Sequence, residues 1–91
     1  MKFANFLEAV VCERKISINK LSIKSGVSRQ SLYHWLSGDR YPDAKNIIAI
    51  NNALDLNPSD TSLMLQYWIK DNELNEVVKL YLDTTLMHNL T

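Results

Sequence analysis

The side chains best suited to bond-making chemistry in this 91-residue chain are His34, His88, Cys12 and carboxylates such as Asp71 and Glu73. Their spacing gives them no shared task. The two histidines are far apart, and no cysteine or histidine has a second ligand at metal-binding spacing, so no metal or other cofactor is expected. No serine, threonine or cysteine stands in a nucleophile–base–orienter pattern, and no glycine-rich phosphate loop is present, so the chain is not read as an enzyme. Asp71 and Glu73 lie near expected helix ends, where carboxylates suit the helix dipole. A different chemistry is concentrated in Ser28-Arg29-Gln30-Ser31 and in Tyr33-His34. Arginine and glutamine each present two hydrogen-bonding groups side by side, which suits paired bonds to a planar partner.

Those residues need a rigid carrier, and the flanking pattern predicts one. Ser28 is a good N-cap for a helix reaching residue 37, with Leu32, Trp35 and Leu36 facing inward. Gly38 ends it. Upstream, Ser17 caps a short helix, 18–25, that carries Ile18, Leu21 and Ser22, and Gly26 stops it as glycine commonly does. Before that, Phe3, Phe6, Leu7 and Val10, with Arg14 in line, follow helical spacing over residues 2–14. After the loop Asp39-Arg40-Tyr41-Pro42, Asp43 caps a fourth helix to Leu54 whose buried face holds Ile47, Ile50 and Leu54. Pro58 opens a fifth, 58–70, at a position where its missing N–H is tolerated. Leu63 and Tyr67, with Leu65 or Trp68, supply its apolar side. Asp71-Asn72 are expected to interrupt the chain before a last helix, 73–88, with Leu74, Val77, Val78 and Tyr81 in line. Nothing alternates long enough to demand a strand. The fold class expected is all-α: a compact bundle of five or six short helices forming a single domain over 1–91.

Two helices joined by a tight glycine turn, the second led by polar residues, make a helix-turn-helix pattern at 18–37. Residues 3–56 resemble the Cro/phage-repressor class of helix-turn-helix domains. Leu21, the small Ser22, the turn glycine Gly26, Val27, the inward Leu32 and Trp35, and the bracketing Gly38 and Pro42 carry the resemblance. Ser22 replaces the commoner alanine and needs a hydrogen bond, expected to a carbonyl one turn back. Trp35 is larger than the usual aliphatic residue, and its indole N–H needs a partner or a wet edge. Where this class often pairs an arginine with a glutamate, the chain has Val11 and Leu36, an apolar pair expected to meet in the core.

The resemblance implies duplex DNA as partner, with helix 28–37 in the major groove. It matches Arg29, Gln30 and His34 to base-reading positions; arginine suits guanine and glutamine suits adenine. Tyr33 would stack on a sugar or touch a thymine methyl. Ser17, Ser31, Arg40 and Lys45 are candidates for phosphate, with Ser28 chiefly a cap that lies beside it.

Net charge is zero, but its distribution is uneven. Residues 1–45 hold Lys2, Arg14, Lys15, Lys20, Lys24, Arg29, Arg40 and Lys45 against Glu8, Glu13, Asp39 and Asp43. Residues 46–91 hold Lys70 and Lys79 against Asp55, Asp60, Asp71, Glu73, Glu76 and Asp83. A basic half joined to an acidic half points to nucleic acid or another polar partner. Residues 57–91 also hold more apolar side chains than two backing helices can cover. Leu80, Met87 and Leu90 fall off the main stripe, and a second copy of the chain is the expected occupant, giving a homodimer. The function expected is sequence-specific transcriptional regulation, as a repressor. The second reading is an interaction protein, an antitoxin or phage accessory factor, whose C-terminal helices bind a partner protein. No run is apolar enough to span a membrane, no signal peptide is read, and the lone Cys12, off the apolar stripe of the first helix and expected to be half-buried, suits a reducing cytoplasm.

Overall fold

The computed structural model describes residues 2–72. Among them the chain is all helix and turn, in five helices: α1 (Phe3–Glu13), α2 (Ile18–Ser25), α3 (Arg29–Ser37), α4 (Ala44–Leu54) and α5, helical from 58 through 72. The last helix expected from the sequence, with Leu80, Met87 and Leu90, lies outside the described residues.

Local chemistry sets the helix starts. Ser17, Ser28 and Asp43 accept, through their side chains, the backbone N–H of Lys20, Ser31 and Asn46 respectively. Asn57 does the same for Asp60 at 2.8 Å, with Pro58 following in the first turn. Each cap satisfies an N–H that has no partner inside its own helix. The ends are set by left-handed residues. Gly26 (φ 74°) and Gly38 (φ 83°) take this role for α2 and α3, whereas Lys15 (φ 52°) and Asp55 (φ 50°) take it for α1 and α4.

α2 packs on α3 and α4, and α1 packs on α3. The inward stripes meet in one core. Phe3, Leu7, Leu21, Leu32, Ile50 and Met64 are its largest fully buried side chains, with Phe6, Val10, Val27, Trp35, Ile47, Ala53 and Leu54 around them. Val11 and Leu36, the apolar pair in place of charges, are both half-buried against this core.

Three expectations need correction. The inward face of α5 is centred on Met64 rather than Leu63; Met64 is 1% exposed and Leu63 is 38% exposed. Cys12 is exposed, not half-buried. Asp71 and Asn72 do not interrupt the chain, because Asp71 is used inside the fold. Its Oδ2 accepts the Phe3 N–H at 2.8 Å, in a buried bond across 68 residues. Lys2, at the N-cap position of α1, makes no side-chain cap bond of its own. α1 therefore takes its N-terminal cap from α5, and the carboxylate also faces the positive end of the α1 dipole.

Two further ties join distant elements. Arg14 Nη1 donates to the carbonyl oxygens of Leu54 at 2.7 Å and Asp55 at 3.3 Å, closing the C-terminus of α4 with a positive charge. Trp68 Nε1 donates to the Pro42 carbonyl at 2.7 Å, so α5 also holds the loop between α3 and α4.

Asp71→Ala would leave the Phe3 N–H buried without an acceptor, at a cost of about 1–3 kcal/mol. Urea unfolding should report that loss, and a smaller one for Asp71→Asn, which keeps an acceptor oxygen. Equal stability of Asp71→Ala and the parent chain would remove the tie from the list of stabilising contacts.

Candidate nucleic-acid interface

The turn between α2 and α3 is built from serines. The Gly26 N–H donates to the Ser22 carbonyl at 2.9 Å, ending α2. The Val27 N–H then donates to Ser25 Oγ at 3.2 Å, and Ser22 Oγ donates to the Val27 carbonyl at 2.5 Å. The partner of Ser22 is thus five residues ahead across the turn, not one turn back. The left-handed conformation at Gly26 folds the chain over, bringing Val27 within reach of the position 22 hydroxyl. An alanine there would fill the same space but leave that carbonyl without this donor. Val27 itself is buried and anchors the turn in the core.

α3 leaves this turn with its first residues in solvent. Arg29 and Gln30 are exposed, Tyr33 is 59% exposed, and Leu32 and Trp35 point inward. Ser28 Oγ accepts the Ser31 N–H at 3.1 Å and donates to Ser31 Oγ at 3.0 Å, which joins two of the expected phosphate residues. Ser17, Arg40 and Lys45 are exposed, and Lys45 stands in the first turn of α4. Three helix N-termini, each led by a capping oxygen, thus carry Ser17, the 28–31 group and Lys45. His34 is half-buried, with Nδ1 3.7 Å from Asp39 Oδ2. Its carbonyl accepts the Asp39 N–H at 3.1 Å, while Gly38 N–H bonds to Trp35, a two-bond closure of the helix end. That His34–Asp39 contact is the one ion-pair geometry among the described residues; Arg29, Arg40 and Lys45 are in none.

Among the described residues, the arrangement holds no group of three histidine, cysteine, aspartate or glutamate side chains that converges on a metal position. It is suited to binding. A short, well-capped helix projects a planar guanidinium and a planar amide from its first turn, flanked by hydroxyls and uncompensated cations. Sequence reasoning missed Asp71, Trp68 and the true role of Arg14. Spacing alone does not reveal side-chain to backbone bonds across 26 to 68 residues.

A geometry of this kind, two helices with a glycine turn and an exposed polar face on the second, defines a helix-turn-helix, a DNA-binding motif. A family model described as helix-turn-helix matches residues 7–60. The match covers more than half of the 91 residues, and the chain belongs to the helix-turn-helix family. Its function is DNA binding of a regulatory kind. Comparison with curated proteins and with solved structures returned no match. No described helix is long and apolar enough to cross a membrane.

Because Ser28 joins the turn to α3, its loss should be felt in stability first. Ser28→Ala should destabilise the chain by about 1 kcal/mol, and Ser28→Asp should restore most of that, since aspartate caps as well as serine. Thermal or urea unfolding measures both. If the alanine variant is as stable as the parent, the Ser28 cap contributes nothing.

Proposed function

We propose that the protein is a sequence-specific transcriptional repressor that places α3 in the major groove of duplex DNA and acts as a homodimer. The observation that carries this reading is the first turn of α3. Arg29 and Gln30 stand exposed and without ion pairs on a helix whose two ends are both fixed, in a chain of the helix-turn-helix family. A fixed helix presents its paired donors and acceptors to base edges without losing much side-chain freedom on binding. Arg29 reads guanine and Gln30 reads adenine, with Tyr33 and His34 further along the groove. Ser17, Ser28, Ser31, Arg40 and Lys45 contact phosphates on either side, setting register without carrying sequence information. Repression then follows from occupancy, since a protein seated in the groove excludes others from the same DNA.

Arg29→Ala and Gln30→Ala should each lose about 1–3 kcal/mol of discrimination at one or two base pairs. Lys45→Ala should weaken binding to all sequences alike and lower the salt slope by about one. Gel retardation over a salt series, on DNA selected from the host genome and on random DNA, separates the two behaviours. Equal losses on both DNAs for all three variants would remove Arg29 and Gln30 as base readers.

The dimer rests on arithmetic and charge. One unit covers one half-site with a small interface; two units on a dyad cover half-sites about 34–36 Å apart and gain affinity through effective concentration. The acidic residues 46–91 are repelled by phosphate and so belong on the side away from DNA, where 57–91 would form the dyad. Leu63 and Ile69 of α5 already expose apolar surface. Leu80, Met87 and Leu90 are proposed to carry most of the contact. Leu80→Asp with Met87→Asp should shift the chain to monomer in sedimentation at micromolar concentration and weaken DNA binding with it. A parent chain that is monomeric alone and on DNA overturns the dimer. Co-purification of a different protein with residues 57–91 would favour an antitoxin-like or accessory role instead.

A further inference from the structure

The ends of α1 and α4 and one flank of α2 enclose an open hollow of about 290 Å³. It is lined by Arg14, Lys15, Lys20 and Lys24, with Leu54 and Asp55 on the α4 side. No residue of α3 lines it. We propose that this hollow is a second anion site, which takes a ligand carrying two or more neighbouring phosphate groups.

Charge is the first support. Four of the ten basic side chains of a chain with zero net charge converge here, against one carboxylate. Among the described residues none of the four makes an ion pair. Lys20 and Lys24 stand one turn apart on α2, a spacing at which like charges repel. Such a cluster is unfavourable in the empty protein and becomes favourable when an anion enters.

Arrangement is the second support. The C-terminus of α4 would ordinarily present carbonyls and the negative end of a dipole to the hollow. Arg14 Nη1 already occupies the Leu54 and Asp55 carbonyls, at 2.7 and 3.3 Å, and so removes that source of repulsion. These bonds also fix the guanidinium at the wall. Lys15 and Asp55 are the two non-glycine residues with positive φ among those described, and both line the hollow. Glycine is the usual occupant of such helix ends. At Lys15 the side chain kept there adds an ammonium to the lining, whereas Asp55, of a residue type that tolerates this conformation, is the one carboxylate that offsets it.

Phosphate fits this set better than a carboxylate. A single carboxylate leaves most of the positive charge unanswered, whereas two linked phosphates offer several charged oxygens to ammonium and guanidinium donors within a volume of this size. The phosphates can come from a free phosphorylated compound, or from the DNA backbone outside the half-site, since Ser17 lies two residues beyond Lys15. The proposal stands independently of base reading by α3, because its first test contains no DNA.

That test is calorimetric titration of the full chain with pyrophosphate and tripolyphosphate at low ionic strength. One saturable site is expected, tighter for tripolyphosphate. Lys20→Gln with Lys24→Gln should weaken it by about tenfold or more without lowering the unfolding midpoint, because both side chains are exposed and their mutual repulsion is relieved. Lys2→Gln with Lys70→Gln, remote from the hollow, should leave it unchanged. The second arm compares DNA affinity on a duplex limited to the half-site and on one extended by about ten base pairs, one helical turn. A loss in the Lys20/Lys24 variant confined to the extended duplex assigns the site to backbone phosphate. A loss confined to pyrophosphate assigns it to a free compound. No saturable pyrophosphate binding together with no flank-dependent loss overturns the proposal, and so does equal weakening in the Lys2/Lys70 control. Failure of the chain to bind any DNA would overturn the function proposed above, while leaving the calorimetric result to stand or fall alone.

Discussion

Everything α3 can present depends on the angle at which the chain leaves α2. That angle is set at Gly26, whose φ of 74° is open to glycine at little cost and disfavoured for residues with a Cβ. A Cβ at this position would meet nothing within 4 Å, so the requirement is conformational and owes nothing to crowding. The hydroxyl of Ser22 then holds the Val27 carbonyl, and Leu21, Val27 and Leu32 bury the inner side of both helices. With backbone, hydrogen bond and apolar contact all favouring one geometry, the exposed first turn of α3 is aimed by the protein and not by its ligand.

Charged side chains in this fold serve helix ends more than each other. Arg14 closes α4 and Asp71 opens α1, each bonding to backbone groups. A charge bonded to a helix terminus satisfies an orphan backbone group and complements the dipole at once. It also leaves the remaining surface cations uncompensated, which suits a protein whose partner is a polyanion. The zero net charge of the chain conceals this, because the acids that balance the sum are concentrated in the other half of the sequence.

Much of this was legible in the sequence. Ser17, Ser28 and Asp43 as caps, Gly26 and Gly38 as stops, and the inward stripes of α1, α3 and α4 are local signals, and local signals determine local geometry. The face of α5 was less legible. Leu63, Met64 and Leu65 are consecutive apolar residues, and only the angle at which the helix docks decides which of them turns inward. Asp71 resembled a breaker because aspartate is a poor interior residue in an isolated helix. Its bond to Phe3 supplies what the isolated helix lacks, and no pattern confined to 58–72 contains that information. The candidate interface was recognised through its scaffold of glycines and core residues. A polar helix face by itself has the same composition whether it meets water or DNA.

The 68-residue separation between Phe3 and Asp71 also bears on the order in which the molecule assembles. Local helix–turn units close quickly, whereas a contact at that separation must wait for most of the chain to be collected. During synthesis the first turn of α1 emerges from the ribosome long before its acceptor exists. Its N-terminus therefore lacks this acceptor until α5 has docked, and the acceptor is a residue beyond the end of the helix-turn-helix match. Interactions that form after the folding barrier slow unfolding more than they speed folding. If the bond from α5 back to Phe3 forms on the far side of that barrier, it acts as a late latch, setting the lifetime of the assembled state more than the speed of reaching it.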